Sequence, residues 1–412
     1  MRVAALRVTQ KEFAEIIGYT EAVVRKWERR GATITLAGQY AAAMDTLLRR
    51  LDDEQRERFE ASVTNPSTSL AAGTSPRSVG GEGFETGLEI AARMQQLSDL
   101  DADDGVATVL ALTTADLVDR YELEGPHVLA PEVVAARRRV EELLQQRRHP
   151  AQIQHLYRTA GQLSGVLGYM AVNRGMFGRA KMYCREAFAI AVRLQDRDLQ
   201  AWVLGTESFL AYYQGHFTES VAYALEGIRT SGPGPQSIRL YSNGLARALG
   251  KLGNATGVAQ AIDRAIEIAS EHHPGTGLTP ALTFAPYGEA RVMANAATAF
   301  LSAGEHRQAL QFGRYVEDRV NGSDSVWSRS LVRLDVATAL VQQGSAEVEH
   351  AAQLGIEALA LSRDRPIRSV WQRAHELREV IGSIPTATSK DYLDSLREWS
   401  LSARHFAAPE DG

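Results

Sequence analysis

The residues best suited to chemistry near the start of the chain are basic and cluster between positions 25 and 30. Residues 1–30 carry seven arginine and lysine side chains against four carboxylates, a net charge of +3. The whole 412-residue chain has a net charge of −5, so the rest of it carries −8. Guanidinium and ammonium groups bind phosphate oxygens, with a strength that grows with the number of phosphates neutralised. A basic head on an acidic body therefore favours a polyanionic partner for the head alone.

A short helix is predicted to begin the element that holds these residues. The Thr9 hydroxyl can cap this helix, and Glu12 lies three residues further on, where it can close a capping box. The apolar residues that follow, predicted by their helical spacing to lie together on one side, are Phe13, Ala14, Ile16 and Ile17. Gly18 then ends the helix, because glycine adopts the left-handed conformation without a steric penalty.

A second helix is predicted to follow at once, with Thr20 as its cap. Its inward residues are Val23, Val24 and Trp27. Its outward residues are Glu21, Ala22, Arg25, Lys26 and Arg29. Two helices joined by a tight turn, with polar and basic residues outward on the second, are the arrangement that a helix-turn-helix requires.

Four parts of this segment lie at the positions where a known family has them: Thr9-Gln10, Phe13-Ala14, Gly18 and Trp27-Glu28. In these residues the segment resembles the helix-turn-helix of phage-repressor and Cro-type (XRE) regulators. The resemblance implies binding to double-stranded operator DNA. It further implies that phosphates are held by Gln10, Arg25, Arg29 and Arg30, and that base edges are read by Glu21, Ala22 and Lys26. The family has a full helix ahead of this pair, so either the true start lies upstream or the helix in Met1 to Val8 is short. A helical hairpin that serves only packing is the alternative.

Length and composition predict two or three folded, cytoplasmic domains. A chain of 412 residues exceeds one ordinary core, and 44% of its residues are hydrophobic. We find no apolar run of about 18 residues and no signal peptide, which argues against a membrane partner. Cys184 is the only cysteine, which excludes an intramolecular disulfide and a multi-cysteine zinc site.

The predicted domains are an N-terminal DNA-binding domain over 1–63, a linker over 64–87, a helical repeat domain over 88–404 and a tail over 405–412. Apolar residues between Leu36 and Leu51 recur every three or four positions and predict an amphipathic helix. A charged helix to about Val63 completes the first domain. Serine, threonine, glycine and proline accumulate from Thr64 to Gly87, a composition that cannot bury enough apolar surface to fold.

Glycines recur through the repeat domain at a nearly constant period. They stand at Gly175, Gly215, Gly253, Gly304 and Gly344, with gaps of 40, 38, 51 and 40 residues. Seven positions before them lie the small residues Gly168, Ser208, Ala246, Ala297 and Ala337. Five positions after the first four lie Ala180, Ser220, Val258 and Ala309. Small residues at such spacings let two antiparallel helices approach closely.

This period resembles a lengthened tetratricopeptide repeat (TPR), which predicts an all-α fold with a TPR-like α-solenoid. The fifth unit departs from the pattern, because Glu349 takes the position of a small residue, and the pair Ala351 and Ala352 predicts a shifted register. Residues 88–150 are expected to form an irregular first layer with breaks at Gly125-Pro126 and Pro131. Helices over 367–381 and 390–401 are expected to cap the end.

The first helix of each tetratricopeptide pair lines a concave groove, and counting back from the glycines identifies its residues. The candidate ligand-binding residues are Tyr169, Asn173, Trp202, Phe209, Tyr213, Asn243, Arg247, Lys251, Arg291 and Asn295, with Thr298 and Asp335 at equivalent positions. Amides can pair with a peptide backbone, aromatic rings accept apolar side chains, and arginine binds carboxylates. The alternative is an ordinary solvated groove, with Phe209 and Trp202 as core between units.

The architecture also resembles peptide-sensing regulators of the Rgg and PlcR type and actinobacterial regulators that join a helix-turn-helix to repeats. The resemblance implies a homodimer formed through the repeats and a peptide, protein or small ligand in the groove. A loose linker would transmit a conformational signal poorly. We find no catalytic set, phosphate loop or cofactor motif. An insertion from His272 to Pro280 is predicted to lengthen one loop between units, and its pair His272-His273 lacks a nearby third metal ligand. The sequence thus predicts a transcription regulator without enzymatic activity, and the alternative is a scaffold whose helix-turn-helix is vestigial or structural.

Overall fold

The computed structural model describes residues 6, 8–20, 23–24, 44, 46–49, 51, 55–56, 86–98, 105–146, 150–274, 278–320, 325–344, 347–403 and 406. The chain divides into two compact units, Met1–Val79 and Gly80–Gly412, and the division falls within the predicted linker. All regular structure among the described residues is helical, which confirms the all-α prediction.

In the first unit, helix α1 (Gln10–Ile17) begins with the predicted capping box. The Thr9 hydroxyl accepts a hydrogen bond from the Glu12 backbone N–H at 3.2 Å, and the Glu12 carboxylate accepts one from the Thr9 backbone N–H at 2.7 Å. These bonds to the ionised form hold the pKa of Glu12 below its usual value. Gly18 ends α1 with φ 73°, in the left-handed region that a side chain would disfavour.

The core of the first unit joins α1 to two later segments. Its buried residues are Phe13, Ala14, Ile17, Val24 and Leu47. The Val24 backbone N–H donates to the Thr20 carbonyl at 3.3 Å, the bond expected one turn into a second helix. The prediction for Ile16 is wrong: its side chain is 47% exposed, because it lies roughly 100° of helical rotation from the centre of the buried stripe. The predicted outward residues of the second helix, the charged helix to Val63 and the 64–85 part of the linker fall outside the described residues, apart from 55–56.

The second unit is built from helices that pair in chain order. They are α2 Gly87–Ser98, α3 Gly105–Glu124, α4 Pro126–Leu144, α5 Pro150–Asn173, α6 Phe177–Arg193, α7 Arg197–Tyr213, α8 Phe217–Ser231, α9 (Gln236–Arg239, Leu240–Ala246 and Arg247–Lys251, in one run), α10 Ala255–His272, α11 Glu289–Ser302, α12 His306–Val320, α13 Val326–Gln343, α14 Val348–Ser362, α15 Arg368–Ile381 and α16 Ala387–Ser402. The middle part of α9, Leu240–Ala246, is a π-helix.

The predicted loop glycines shape four of the turns between paired helices. Gly175, Gly215, Gly253 and Gly304 have φ values of 72°, 83°, 74° and 82°. In each turn the next residue donates its backbone N–H to the carbonyl four positions before the glycine, at 2.8 Å (Met176 to Ala171), 2.9 Å (His216 to Ala211), 3.0 Å (Asn254 to Leu249) and 2.9 Å (Glu305 to Phe300). Gly344 is extended instead, with φ 160°. In the helix that follows it, Ala351 and Ala352 are buried and Glu349 is exposed, as the shifted register requires.

Small residues face each other where the paired helices cross. A β-carbon on Gly168 would lie 2.9 Å from the Cys184 sulfur and 3.5 Å from the Ala180 carbonyl oxygen. In the next pair, the Ser208 hydroxyl donates to the Ser220 carbonyl at 2.9 Å, and the Ser220 hydroxyl donates to the Ser208 carbonyl at 2.8 Å. Both serines are fully buried, so these reciprocal bonds satisfy hydroxyls that the close approach removes from water.

Three local expectations need correction. Pro131 does not break the chain but lies inside α4. An interior proline weakens a helix, and here buried Leu129 and Val133 on either side of it hold α4 against the core. The last residues of the predicted linker belong to α2, which begins at Gly87 after a Thr86 cap bonded to Glu89. The segment after α10 is longer than the predicted insertion, since α11 begins only at Glu289.

Other helices cover the inner face that was expected to form an open groove. Both α3 and α15 pack against α5 and α13, so α15 does more than close the end of the repeats. Glu122 of α3 accepts hydrogen bonds from Arg291 Nη2 at 2.7 Å and from the Ser328 hydroxyl at 3.0 Å. It also accepts the Ala281 backbone N–H at 2.6 Å. The inner face therefore forms part of a core, with one cleft left in it.

Candidate ligand-binding site

Few of the functional residues predicted in the first unit lie among the residues that the structure describes. Gln10, predicted to hold a phosphate, lies half-buried at the start of α1. The other predicted DNA-contacting residues, Glu21, Ala22, Arg25, Lys26, Arg29 and Arg30, lie outside the described residues. The site that can be built residue by residue is in the second unit.

A cleft of about 550 Å³, counting its mouth, lies between the inner faces of the helices. The cavity volume within this cleft is about 60 Å³. Seven of the ten predicted groove residues line the cleft: Tyr169, Phe209, Tyr213, Asn243, Arg247, Arg291 and Asn295. Thr298 and Asp335 line it as well. Its size suits a small molecule rather than an extended peptide. We call it the inner pocket.

The repeat spacing explains why residues from different helices meet in the inner pocket. Tyr169, Phe209, Arg247 and Thr298 each lie six positions before a loop glycine, so stacking the pairs places them at the same level. The Tyr169 and Phe209 rings stack with centroids 4.7 Å apart and planes 5° apart. Tyr213 meets Phe209 edge-on at 4.7 Å. These rings form an aromatic wall beside the polar residues of α9 and α11.

Two of the three arginines that line the inner pocket are neutralised by carboxylates. Arg291 Nη2 lies 2.7 Å from Glu122 Oε1, and Arg373 Nε lies 2.9 Å from Asp335 Oδ1. Asp335 also accepts the Thr298 hydroxyl at 2.6 Å. Burial raises the pKa of Asp335, and the positive charge of Arg373 opposes that shift. Each pair is balanced in charge and keeps water away from both partners.

Arg247 is the third arginine, and its charge is not balanced by a carboxylate. The side chain is 4% exposed, and it donates to Asn243 Oδ1 and to the Tyr213 hydroxyl, both at 3.0 Å. The centre of the Tyr212 ring lies 4.3 Å from its guanidinium carbon. Arg247 Nε has no hydrogen-bond partner. Among the described residues no carboxylate forms an ion pair with the guanidinium; Asp335 attracts it electrostatically but is ion-paired with Arg373. Arginine does not lose its proton in proteins, so one positive charge is left over.

Asn295 supplies a second donor without an acceptor from the protein. Its side chain is 8% exposed, it lines the inner pocket, and its Nδ2 has no hydrogen-bond partner. Leaving a buried amide donor unsatisfied costs on the order of 1–3 kcal/mol. Buried polar groups are almost always bonded, so two unpaired donors beside one cleft need an explanation. An acceptor group on a ligand would satisfy both.

Three predicted groove residues lie elsewhere and serve packing. Trp202 Nε1 donates to the Thr283 carbonyl at 2.9 Å, in the core as the alternative reading expected. Asn173 Nδ2 donates to the Tyr121 hydroxyl at 2.8 Å, and Lys251 Nζ lies 2.6 Å from a Glu376 oxygen. None of the three lines the inner pocket.

The sequence patterns did not indicate the contribution of α15, of the segment before α11 or of the α13 residues other than Asp335. The additional lining residues are Leu278, Ala281, Ala294, Ser328, Leu331, Val332, Ser369 and Arg373. One signal was available: Arg373 lies between Val370 and Leu377, both buried, so it interrupts the apolar face of its helix. A buried arginine needs a partner, which points to an interior polar site. The π-helical part of α9 carries no comparable signal in its residues.

The described residues contain no cluster of three or more histidine, cysteine or carboxylate side chains able to hold a metal ion. His272 and His273 instead lie near backbone carbonyls, at 2.9 Å from Pro233 and 3.1 Å from Glu271. In the part of the chain that the structure describes, each helix is too short or too polar to span a bilayer. No family model matches the chain, and no curated protein is significantly similar to it.

Proposed function

We propose that this protein is a DNA-binding transcription regulator with a helix-turn-helix in its first unit and a TPR-like second unit that senses a ligand. The observation that carries the proposal is the turn at the end of α1. The Thr9–Glu12 capping box, the left-handed Gly18 and the burial of Phe13 and Val24 in one core supply the start, turn and shared core that two crossing helices need.

The expected positions of the basic residues around the second helix follow from the helical period, counted from Val24. Val24 is buried, and a helix turns by about 100° per residue. Arg25 and Lys26 are then expected about 100° and 200° from the buried direction, where they can reach DNA. Seven basic residues among the first thirty support this assignment, since the rest of the chain is acidic.

Selection of bound duplexes from a random DNA pool by the full-length protein tests the proposal. We expect enrichment of a sequence with two-fold symmetry, because the second units are expected to join two copies and place two half-sites about 34 Å or a multiple of it apart. Recovery of no sequence above the starting pool would refute sequence-specific binding and favour a scaffold.

Gel shifts on the selected duplex then test the assigned face. Arg25→Ala and Lys26→Ala are each expected to weaken binding roughly tenfold, and loss of a phosphate contact lowers the salt dependence by about 0.9 per contact. The matched control is Arg397→Ala, which removes an arginine whose side chain is 77% exposed and lies in the second unit. If all three variants bind equally, the second helix does not contact DNA.

A further inference from the structure

The charge balance of the inner pocket identifies the kind of molecule that it accommodates. Three arginines line it, and carboxylates neutralise only Arg291 and Arg373. The remaining guanidinium, of Arg247, is almost completely buried and has an unpaired Nε–H. A ligand with one negative charge would balance the pocket, whereas a neutral or cationic ligand would not.

The free donors of Arg247 and Asn295 narrow the chemistry of the ligand further. Arg247 uses Nη1 for Asn243 and Nη2 for Tyr213, which leaves Nε–H. A guanidinium can bind a planar carboxylate through Nε–H and the neighbouring Nη2, which has a second hydrogen. Asn295 offers another donor beside the same cleft. The ligand therefore needs a carboxylate and one further acceptor oxygen.

The remaining walls of the pocket limit the size and polarity of the ligand. Leu278, Leu331 and Val332 also line the pocket, and Tyr169 and Phe209 form the aromatic wall. The cavity volume is about 60 Å³, which limits the ligand to a small molecule. A small acid with a short apolar body fits these walls.

The helix that carries Arg247 is irregular at this place. The π-helix Leu240–Ala246 contains Asn243 and ends immediately before Arg247. Such segments are rare inside α-helices and occur frequently at functional sites. This irregularity is independent of the charge argument and points to the same residues.

We propose that the inner pocket binds a small monocarboxylate with a second acceptor oxygen, as in a 2-hydroxy or 2-oxo acid, with Arg247 holding the carboxylate and Asn295 the other oxygen. This names the ligand class for the proposed sensor. Binding itself does not depend on the DNA-binding role, and it can be measured without DNA.

Thermal unfolding and titration calorimetry of the full-length protein test this proposal with matched probes. Lactate and pyruvate are the acids, lactamide is the neutral counterpart of lactate, and chloride and sulfate are the inorganic controls. We expect the acids to raise the unfolding temperature and to bind with one site per chain, and lactamide to do neither. Equal stabilisation by chloride or sulfate would mean an adventitious ion only, and equal binding of lactamide would refute the role of the charge.

Two substitutions of Arg247 test whether its side chain binds the carboxylate. Arg247→Met is expected to abolish acid binding without lowering the unfolding temperature of the free protein, because it removes a buried charge that no carboxylate balances. Arg247→Lys keeps the charge but loses the planar fork, so we expect at least tenfold weaker binding; it also serves if the first variant does not fold. The control, Arg397→Met, removes an exposed cation of the second unit outside the pocket and should bind acids normally. Normal binding by both Arg247 variants would overturn the proposal.

A separate DNA titration distinguishes the failure of this proposal from the failure of the proposed function. The selected duplex is titrated with protein in the presence and absence of the bound acid. Acid binding with no specific DNA binding would leave the pocket proposal standing and refute the regulator. DNA binding with no acid binding would do the reverse.

Discussion

Glu122 joins four parts of the second unit, and its removal should destabilise that unit strongly. The carboxylate binds Arg291 of α11, Ser328 of α13 and the Ala281 N–H, at 2.7, 3.0 and 2.6 Å. Glu122→Gln keeps the shape but leaves Arg291 with an unbalanced charge, at a side-chain exposure of only 9%. Breaking a buried pair by removing one partner costs about 3–5 kcal/mol, and the slight exposure favours about 3 kcal/mol.

Urea denaturation followed by tryptophan fluorescence measures this loss, because four of the five tryptophans lie in the second unit. Arg291→Met in the Glu122→Gln background removes the unbalanced charge, so we expect it to recover about 1–2 kcal/mol. The control is Asp394→Asn, which breaks an exposed pair with Arg397 and should change stability by less than about 1 kcal/mol. If Glu122→Gln behaves like this control, or if the effects of the two substitutions simply add, the pair does not hold the inner face together.

Two further predictions concern local structure. Gly215→Ala should lower the free energy of unfolding by about 1 kcal/mol, because φ is 83° although the added methyl group meets no neighbour. Gly344→Ala is equally open but has an extended backbone, so it should change stability by almost nothing. Urea denaturation compares the two variants, and equal losses would contradict the argument from backbone conformation. The pKa of Glu12 is lower in the folded state than its usual value, so its contribution to stability is present above that value and is lost as the pH falls through the folded pKa. Acid titration of helicity should therefore show a weaker acid-dependent loss in Thr9→Ala, and an unchanged titration would contradict the capping box.

Local rules made part of this fold predictable from the sequence. A glycine that must adopt positive φ and small residues that must let helices approach are requirements of single turns and single crossings. Gly175 and Gly215 accordingly have the expected backbone, and Ser208 meets Ser220 at the expected position. Counting from the glycines also placed Arg247 and Asn295 beside one pocket, because a repeated spacing transfers from one helix pair to the next.

The covering of the inner face could not be predicted in the same way. It depends on contacts between residues far apart in the chain, such as Glu122 with Arg291 and Asn173 with Ser369. Many partners are compatible with one glutamate or one asparagine, so no periodicity selects among them. The prediction of an open groove followed from treating each pair as equivalent, whereas α3 and α15 break that equivalence by packing onto the inner helices.

The buried polar residues around the inner pocket are of two kinds, those with an ion-pair partner and those without one. A ligand can bind the second kind without breaking an ion pair. Asp335, Arg373, Glu122 and Arg291 satisfy one another, and exchanging such a group for a ligand would leave its partner unbalanced. Arg247 has hydrogen bonds and aromatic neighbours but no counter-charge, so an incoming carboxylate displaces no ion pair and neutralises a charge that folding has already buried. Because Arg247 is already buried before binding, the ligand bears less of that desolvation cost, which favours the binding of a small acid in the inner pocket.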